Sequence, residues 1–304
     1  MNRQKVLVTG GNGFMARNLC PILQQAGYEV ITTTRTPYAS QCHNVVTGDL
    51  EKFQDWDSLF LNVDAVIHLA ARVHIMNDTA QDPLAEFRRA NCEATRCLAE
   101  TAQNHGVKHF IYLSSIHVNG NHSSSYGFTE QDQPQPQTPY ARSKFEAENM
   151  LMQLCGKMTL TRIRIPLVYG KGVKGNFQSL IKLCKLPVPL PFKGCVNNQR
   201  SFLFVENFCD FIKKCLQSTD TSGLYFVADD QRLSTADLIS QIRTSLDQKP
   251  LLFTVPFLET LLPRSFAEKL TENMVVINTK AKTSFNWQPP YTTQEGLQKM
   301  LKDA

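Results

Sequence analysis

Tyr140 and Lys144 stand four residues apart in Tyr140-Ala-Arg-Ser-Lys144, inside a stretch whose pattern predicts a helix from Pro139 to about Leu154. That spacing puts both side chains on one helix face. A free phenol titrates near about 10 and is a poor base at neutral pH, but a neighbouring ammonium favours the phenolate and lowers that value. Lys144 would supply the charge and could also reach a ribose. The chain has 8 Tyr, so such a pair has roughly even odds of arising by chance and means little alone. Ser114 and Ser115 follow an apolar run, His109–Ser114, that reads as a strand. Hydroxyls at the carboxyl end of a parallel strand lie where open α/β sheets bind ligands, although two serines there could equally cap a loop or helix.

A third element precedes both. Val6-Leu-Val-Thr-Gly10-Gly-Asn-Gly13-Phe-Met-Ala16 sits between a strand pattern and a helix pattern. Gly10 permits the tight turn, Gly13 lets backbone approach a pyrophosphate, and Ala16 is small enough for helix and strand to pack closely. The helix start then offers free N–H groups and a positive dipole end to phosphates. A glycine-rich turn without a ligand is the alternative, but the strand–turn–helix context favours a dinucleotide. A second strand that grips the ribose hydroxyls of NAD should end in an acid. Here Thr34 and Arg35 occupy that place, which suits the 2′-phosphate of NADP and favours NADP(H) over NAD(H).

The elements that must position these residues are legible as alternating patterns. Lys5–Thr9, Glu29–Thr33, Ala65–Leu69, His109–Ser114 and Leu160–Ile165 read as strands, and Asn12–Ala26, Pro83–His105 and Pro139–Leu154 as helices. Such alternation predicts an α/β fold, a Rossmann-type doubly wound parallel sheet covered on both faces. The polar, Pro-bearing stretch 119–139 reads as a loop. Composition shifts near residue 170, where we place a smaller C-terminal α/β substrate lobe. The boundaries are 1–168 for the dinucleotide-binding domain, with helix 205–216 returning to it, and 169–204 plus 217–304 for the lobe. Gly223–Val227 reads as a strand in that lobe. Ser234–Leu246 reads as a helix capped by Ser234, with Asp237 three residues on.

Composition narrows the function. The 304 residues carry a net charge of +5 with scattered basic side chains, which gives no nucleic-acid footprint. The 9 cysteines are odd in number and include no CxxC, so free thiols in a reducing compartment fit better than disulfides or zinc. No apolar run approaches a membrane span, and the first, Val6–Val8, is too short for a signal-peptide core. These features lead us to expect a cytoplasmic protein without a metal. His68, in an apolar strand, reads as a satisfied core residue. Cys92 and Cys97 read as helix packing.

Taken together, the motifs resemble the extended short-chain dehydrogenase/reductase family, in its nucleotide-sugar epimerase/dehydratase branch. The resemblance covers nearly the whole chain. It rests on Thr9-Gly-Gly-Asn-Gly-Phe14, Gly48-Asp49-Leu50, Val66-Ile-His-Leu-Ala-Ala71, Ser114-Ser115 before Val118-Asn-Gly120, Tyr140/Lys144, Arg164 with Val168-Tyr-Gly170, and Arg200-Ser-Phe. Lys280-Ala281, Trp287-Gln-Pro289 and Glu295-Gly-Leu297 match its closing pattern.

The resemblance implies Ser115, Tyr140 and Lys144 as the catalytic set. It implies cofactor contacts from Gly10, Gly13, Phe14, Met15, Arg35, Asp49, Leu50, Leu69, Ala70 and Ala71, besides Tyr140 and Lys144. Substrate-side roles would fall to Asn91, as a brace of the active-site loops, and to Ser115, His117, Asn176 and Arg200, the last two holding the diphosphate of a nucleotide sugar, UDP-linked by the same resemblance. A loop His without proton transfer, a helix-start Asn and a surface cation are the plainer alternatives for His117, Asn176 and Arg200. A homodimer through the Pro83–His105 and Pro139–Leu154 helices is also implied.

Three departures matter. Asn119 replaces the usual Tyr. Ile116 and His117 replace the Asp-Glu pair of sugar 4,6-dehydratases, which argues against dehydration. The C-terminal diphosphate-clamping Arg has no clear match, with Arg264 nearest. The run Ala71–Asn77, together with Ser114–Gly120, looks like a subgroup that reduces UDP-4-keto-6-deoxy-N-acetylhexosamines in bacterial polysaccharide synthesis. A 4-keto reductase is therefore the first expectation. A UDP-hexose 4-epimerase is the second, and a non-catalytic NADP(H)-sensing regulator, which uses the fold without chemistry, the third.

Overall fold

A computed structural model describes residues 3–73, 81–156, 158–218 and 221–302. Side chains of 259, 264–266 and 269 are not described, so the side chain of Arg264 and the 74–77 part of the Ala71–Asn77 run lie outside what is described.

The chain begins with β1 (Lys5–Thr9), α1 (Phe14–Gln25), β2 (Glu29–Thr34) and β3 (His43–Val46), then a short helix α2 (Trp56–Leu59) and β4 (Ala65–His68). Next come α3 (Pro83–Arg88), α4 (Ala94–Asn104), β5 (His109–Ser115), α5 (Pro139–Leu154) and β6 (Thr159–Ile165). The remainder holds β7 (Leu167–Tyr169), α6 (Asn176–Cys184), β8 (Arg200–Phe204), α7 (Val205–Gln217), β9 (Gly223–Phe226), β10 (Arg232–Leu233), α8 (Thr235–Ser245), α9 (Arg264–Thr271), α10 (Thr279–Phe285) and α11 (Thr293–Lys302).

Seven strands form one sheet in the order β3-β2-β1-β4-β5-β6-β9, every neighbouring pair parallel. The strands read as apolar runs because both faces are covered. Along β1, Val6 and Val8 enter the core that holds α1 and α7, while Leu7 enters the core under α4 and α5. The same alternation recurs in β4, with Ala65 and Ile67 on one side and Val66 on the other, and in β5, with Ile111 opposite Phe110 and Tyr112. Leu19 and Leu23 of α1 and Phe208, Phe211 and Ile212 of α7 are fully buried in the first core. A second sheet, β10-β8-β7, belongs to the C-terminal part.

Four features differ from the sequence reading. β9 lies in the large sheet beside β6, so this strand leaves the lobe to which residues 217–304 were assigned. β3 was not expected: His43-Asn-Val-Val46 is short and half-exposed, an edge strand without an apolar run. The short strands β7, β8 and β10 carry too few residues for periodicity to reveal. Pro83–His105 is not one α-helix, because a π-helical segment, Arg89–Glu93, interrupts it. The helix at Thr235–Ser245 has the reciprocal cap expected of Ser234 and Asp237.

Two buried imidazoles make the fold acid-sensitive. Burial pushes His68 down to about 3 and His109 down to about 4. Both values lie below that of an unfolded histidine, about 6.5. Below that pH the unfolded chain binds protons that the folded chain refuses, so stability falls as pH drops toward 4. The melting temperature should therefore decline from pH 7 to pH 4.5. The decline should be shallower in His109→Gln, which keeps a partner for Thr161 Oγ1, bonded to His109 Nε2 at 2.8 Å. A slope identical to that of the parent would contradict this assignment.

Candidate active site

Because the large sheet is wholly parallel, its carboxyl strand ends share one edge, and the loops leaving β1, β2, β3, β4 and β5 gather there. Gly10 follows β1 with φ +73°, the left-handed region, and a Cβ there would stand 3.0 Å from Ala70 Cα. A Cβ on Gly11 would stand 2.6 Å from Thr32 Cβ. Gly13 is the N-cap of α1 in extended conformation and provides no side-chain cap, so the first-turn N–H groups remain available to a phosphate. This cradle, which a side chain would fill, fits a dinucleotide pyrophosphate.

The loop is fixed from beneath. Thr95 Oγ1 donates to Asn91 O at 2.7 Å, so His68 must donate from Nε2 to Thr95 Oγ1 at 2.9 Å. His68 Nδ1 then accepts from Thr9 Oγ1 at 2.7 Å. Thr9 Oγ1 in turn accepts from the backbone N–H groups of Leu69 (3.2 Å) and Ala70 (3.1 Å). His68 is thus a satisfied core residue, as the sequence suggested, and it ties the ends of β1 and β4 to α4.

Asn91 sits on the π-helical segment and is fully buried. Its Oδ1 accepts from Arg72 N at 2.7 Å, and its Nδ2 donates to Arg72 O and Ser143 Oγ, each at 3.0 Å. Its side chain is thereby engaged in bracing the loop after β4 against α5. A π-turn aims one residue that a regular helix would turn away.

α5 begins at Thr138, whose Oγ1 accepts from Ala141 N at 3.1 Å, with Pro139 in its first turn. Tyr140 and Lys144 share a face, as their spacing required. The Lys144 ammonium lies 4.4 Å from the Tyr112 ring centroid. Burial pulls Lys144 down to about 7, against the charge of Glu148, which raises it. Burial pushes Tyr140 up to about 12, and a hydrogen bond with Ser115 partly offsets this. At neutral pH the phenol therefore holds its proton and can donate it.

A cleft of about 200 Å³ gathers Ser115, Tyr140 and Lys144 with Met15, Leu69 and Ala71. Of the remaining expected cofactor residues, Gly10, Gly13, Phe14 and Ala70 form the adjoining turns. Asp49 is the N-cap of the 3-10 turn Leu50–Lys52 after β3, and Leu50 is buried. Arg35 is exposed directly after β2. These last three sit along the same sheet edge, one and two strands beyond β1. His117 is exposed, and its N–H donates to Ser115 Oγ at 3.3 Å. Asn176 and Arg200 are not among the residues lining the cleft. Asn176 is exposed at the start of α6, and Arg200 is half-buried on β8, donating to Glu272 O at 3.2 Å.

The sequence reading missed Tyr38, whose hydroxyl donates to Gly11 O at 2.9 Å beneath the Arg17 guanidinium, 5.8 Å away. It also missed Glu148, although this carboxylate stands four residues beyond Lys144 on the same buried face of α5. Among the described residues no group of His, Cys, Asp and Glu could hold a metal ion, and no helix is long and apolar enough to cross a membrane.

Comparison with known proteins follows the same lines. Residues 6–228 match the model of the NAD dependent epimerase/dehydratase family. A protein of Vibrio cholerae described as UDP-glucose 4-epimerase is 31% identical, covering 97% of this chain and 93% of its own. The fold is similar to that of a UDP-N-acetylglucosamine 4-epimerase from Bacillus cereus, with TM-score 0.81 and 18% identity over 98% of each chain. It is also similar to that of a UDP-glucose 4-epimerase from Thermotoga maritima, solved with UDP-glucose, with TM-score 0.78 and 20% identity over 98% of each chain.

Proposed function

The chain belongs to the NAD dependent epimerase/dehydratase family, and from that premise we propose that it is an NADPH-dependent reductase acting at C4 of a UDP-4-keto-6-deoxy-N-acetylhexosamine. The observation that carries this reading is the end of β2. Thr34 is buried and bonded to Asn44 at 3.0 Å, Arg35 follows it exposed, and no carboxylate stands there to grip a free ribose 2′-hydroxyl. A guanidinium suits a 2′-phosphate. Arg17, stacked over Tyr38 in the same corner, adds a second cation. A cofactor consumed in net reduction fits NADPH, whereas one recycled within the site fits NAD.

The roles of the chain's residues follow from the geometry. The nicotinamide, when bound, supplies the hydride. Tyr140, neutral because burial holds its phenol near 12, donates its proton to the sugar O4. Ser115 hydrogen-bonds that oxygen as negative charge develops on it. Lys144 lowers the cost of leaving Tyr140 as phenolate. Ile116 is buried and His117 exposed where a dehydratase carries two acids, so the loop offers no carboxylate pair for removing water from the sugar. Asn176 and Arg200 are assigned to the diphosphate, in a homodimer paired through the α3–α4 and α5 helices.

A 4-epimerase is the second reading, favoured by the similarity to the Vibrio cholerae protein over nearly the whole chain. There Tyr140 would have to stand as the phenolate, favoured by the Lys144 ammonium, to take the O4 proton first; the C4 hydride would pass to NAD and return to the other face of the keto sugar.

Arg35→Ala tests the carrying observation. It should weaken NADPH binding about tenfold or more and leave NADH within about twofold, read by cofactor fluorescence. Equal losses for both would remove Arg35 from the 2′-phosphate and with it the case for reduction.

A further inference from the structure

A buried polar network lies behind the cleft. Glu148 follows Lys144 by one helical turn and Tyr140 by two, and it is fully buried. Ser114, at the end of β5, donates to Glu148 Oε1. Arg164 of β6 donates from Nε to Oε1 at 2.9 Å and from Nη2 to Oε2 at 2.5 Å. The third arm of that guanidinium, Nη1, donates to Asn119 Oδ1 at 2.8 Å, in the segment that leaves Ser115. A carboxylate removed from water persists only when paired and hydrogen-bonded, and the forked contact with Arg164 meets both needs. One side chain thus joins α5, β5 and β6 at the point where Ser115, Tyr140 and Lys144 converge.

We propose that Glu148 is a positioning residue: clamped by Arg164 and Ser114, it keeps the Lys144 side chain charged and locks the strand end bearing Ser115 to the helix bearing Tyr140. The proposal rests on the reading that Tyr140 and Lys144 perform the chemistry. The groups facing Lys144 are few. Tyr112 presents its ring from β5, His68 stands on β4, and Tyr140 and Glu148 stand on α5 itself. His68 is neutral, and burial raises both phenols, so none of those three carries charge at neutral pH. Glu148, its charge partly offset by the Arg164 guanidinium paired with it, is left among these groups to oppose the cost of burying an ammonium. A carboxylate acting only as packing would leave the ionisation of Lys144 unmoved.

The experiment follows Lys144 directly. Protein labelled with 13C at lysine Cε gives a resonance for Lys144, assigned by its loss in Lys144→Met, and its shift is titrated against pH in the free enzyme. The parent should show a midpoint near 7. Glu148→Gln should lower it by about one unit or more, so the charged fraction at pH 7 falls from about half to about a tenth or less. Glu148→Asp keeps the charge and should keep the midpoint within about half a unit. Should Glu148→Gln fail to fold with Arg164 unpaired, Glu148→Met combined with Arg164→Met removes both charges together, a replacement buried pairs often tolerate, and should show a smaller downward shift, because losing the Arg164 cation offsets part of the loss of the carboxylate. An unchanged midpoint in either folded variant overturns the proposal. The readout needs neither substrate nor cofactor, so a wrong substrate assignment would leave it intact. A wrong assignment of Tyr140 and Lys144 would appear instead as retained turnover in Tyr140→Phe and Lys144→Met.

Discussion

Tyr140→Phe should lower turnover by about 10²–10⁴-fold while leaving cofactor affinity within about twofold. The substitution removes one oxygen and little else. The ring meets Phe87 edge-on with centroids 6.2 Å apart, and a phenyl group keeps that contact. The backbone carbonyl of Tyr140, which accepts from Ser143 Oγ at 2.8 Å, is also kept. What is lost is the proposed proton donor and its bond to Ser115. Ser115 could still hydrogen-bond the sugar oxygen, so residual activity is expected rather than none. Steady-state turnover and a fluorescence titration of the cofactor separate the two effects. Turnover within about fivefold of the parent would mean that the proton comes from elsewhere, and it would reopen the reading of the chain as a cofactor-sensing regulator.

Gly11→Val should weaken cofactor binding by about two orders of magnitude. Gly11 packs against β2 so closely that a Cβ would lie 2.6 Å from Thr32 Cβ and 3.0 Å from its Oγ1. The loop must move outward to admit a side chain, and the neighbouring turn at Gly10, itself 3.0 Å from Ala70 Cα at a notional Cβ, moves with it. Tyr38, whose hydroxyl holds Gly11 O, loses its anchor in the same displacement. Because the conflict is between two Cβ atoms, Thr32→Ala should not relieve it. Thr32→Gly combined with Gly11→Ala should recover part of the lost affinity. Isothermal titration with the cofactor checks the series. Undiminished binding by Gly11→Val would show that the loop adapts without disturbing the cradle.

The large sheet and the cleft were legible because each depended on local pattern. Strands covered on two faces read as apolar runs, Gly10 and Gly13 stand out by their strand–turn–helix context, and Tyr140 and Lys144 gain meaning in company with them and with Ser115. What escaped was non-local. β9 follows α7 and resembles any short strand of the C-terminal part, and only the sheet order places it beside β6. The π-helical segment at Arg89–Glu93 leaves no mark in a helical pattern, yet it delivers Asn91 to Arg72 and Ser143. Glu148 looks like an ordinary surface charge in sequence, and Arg164 stands out there only as part of a motif with Val168-Tyr-Gly170. Their pairing needs α5 to lie across β5 and β6, a fact of tertiary packing.

The claim that this site reduces a keto sugar at C4 is tested most directly by following NADPH absorbance with purified protein and UDP-4-keto-6-deoxy-N-acetylglucosamine, beside a parallel run with NADH. Stoichiometric loss of NADPH, faster than that of NADH, is the predicted result. No loss of either would contradict it, and interconversion of UDP-hexoses in the presence of NAD would then identify the site as that of an epimerase.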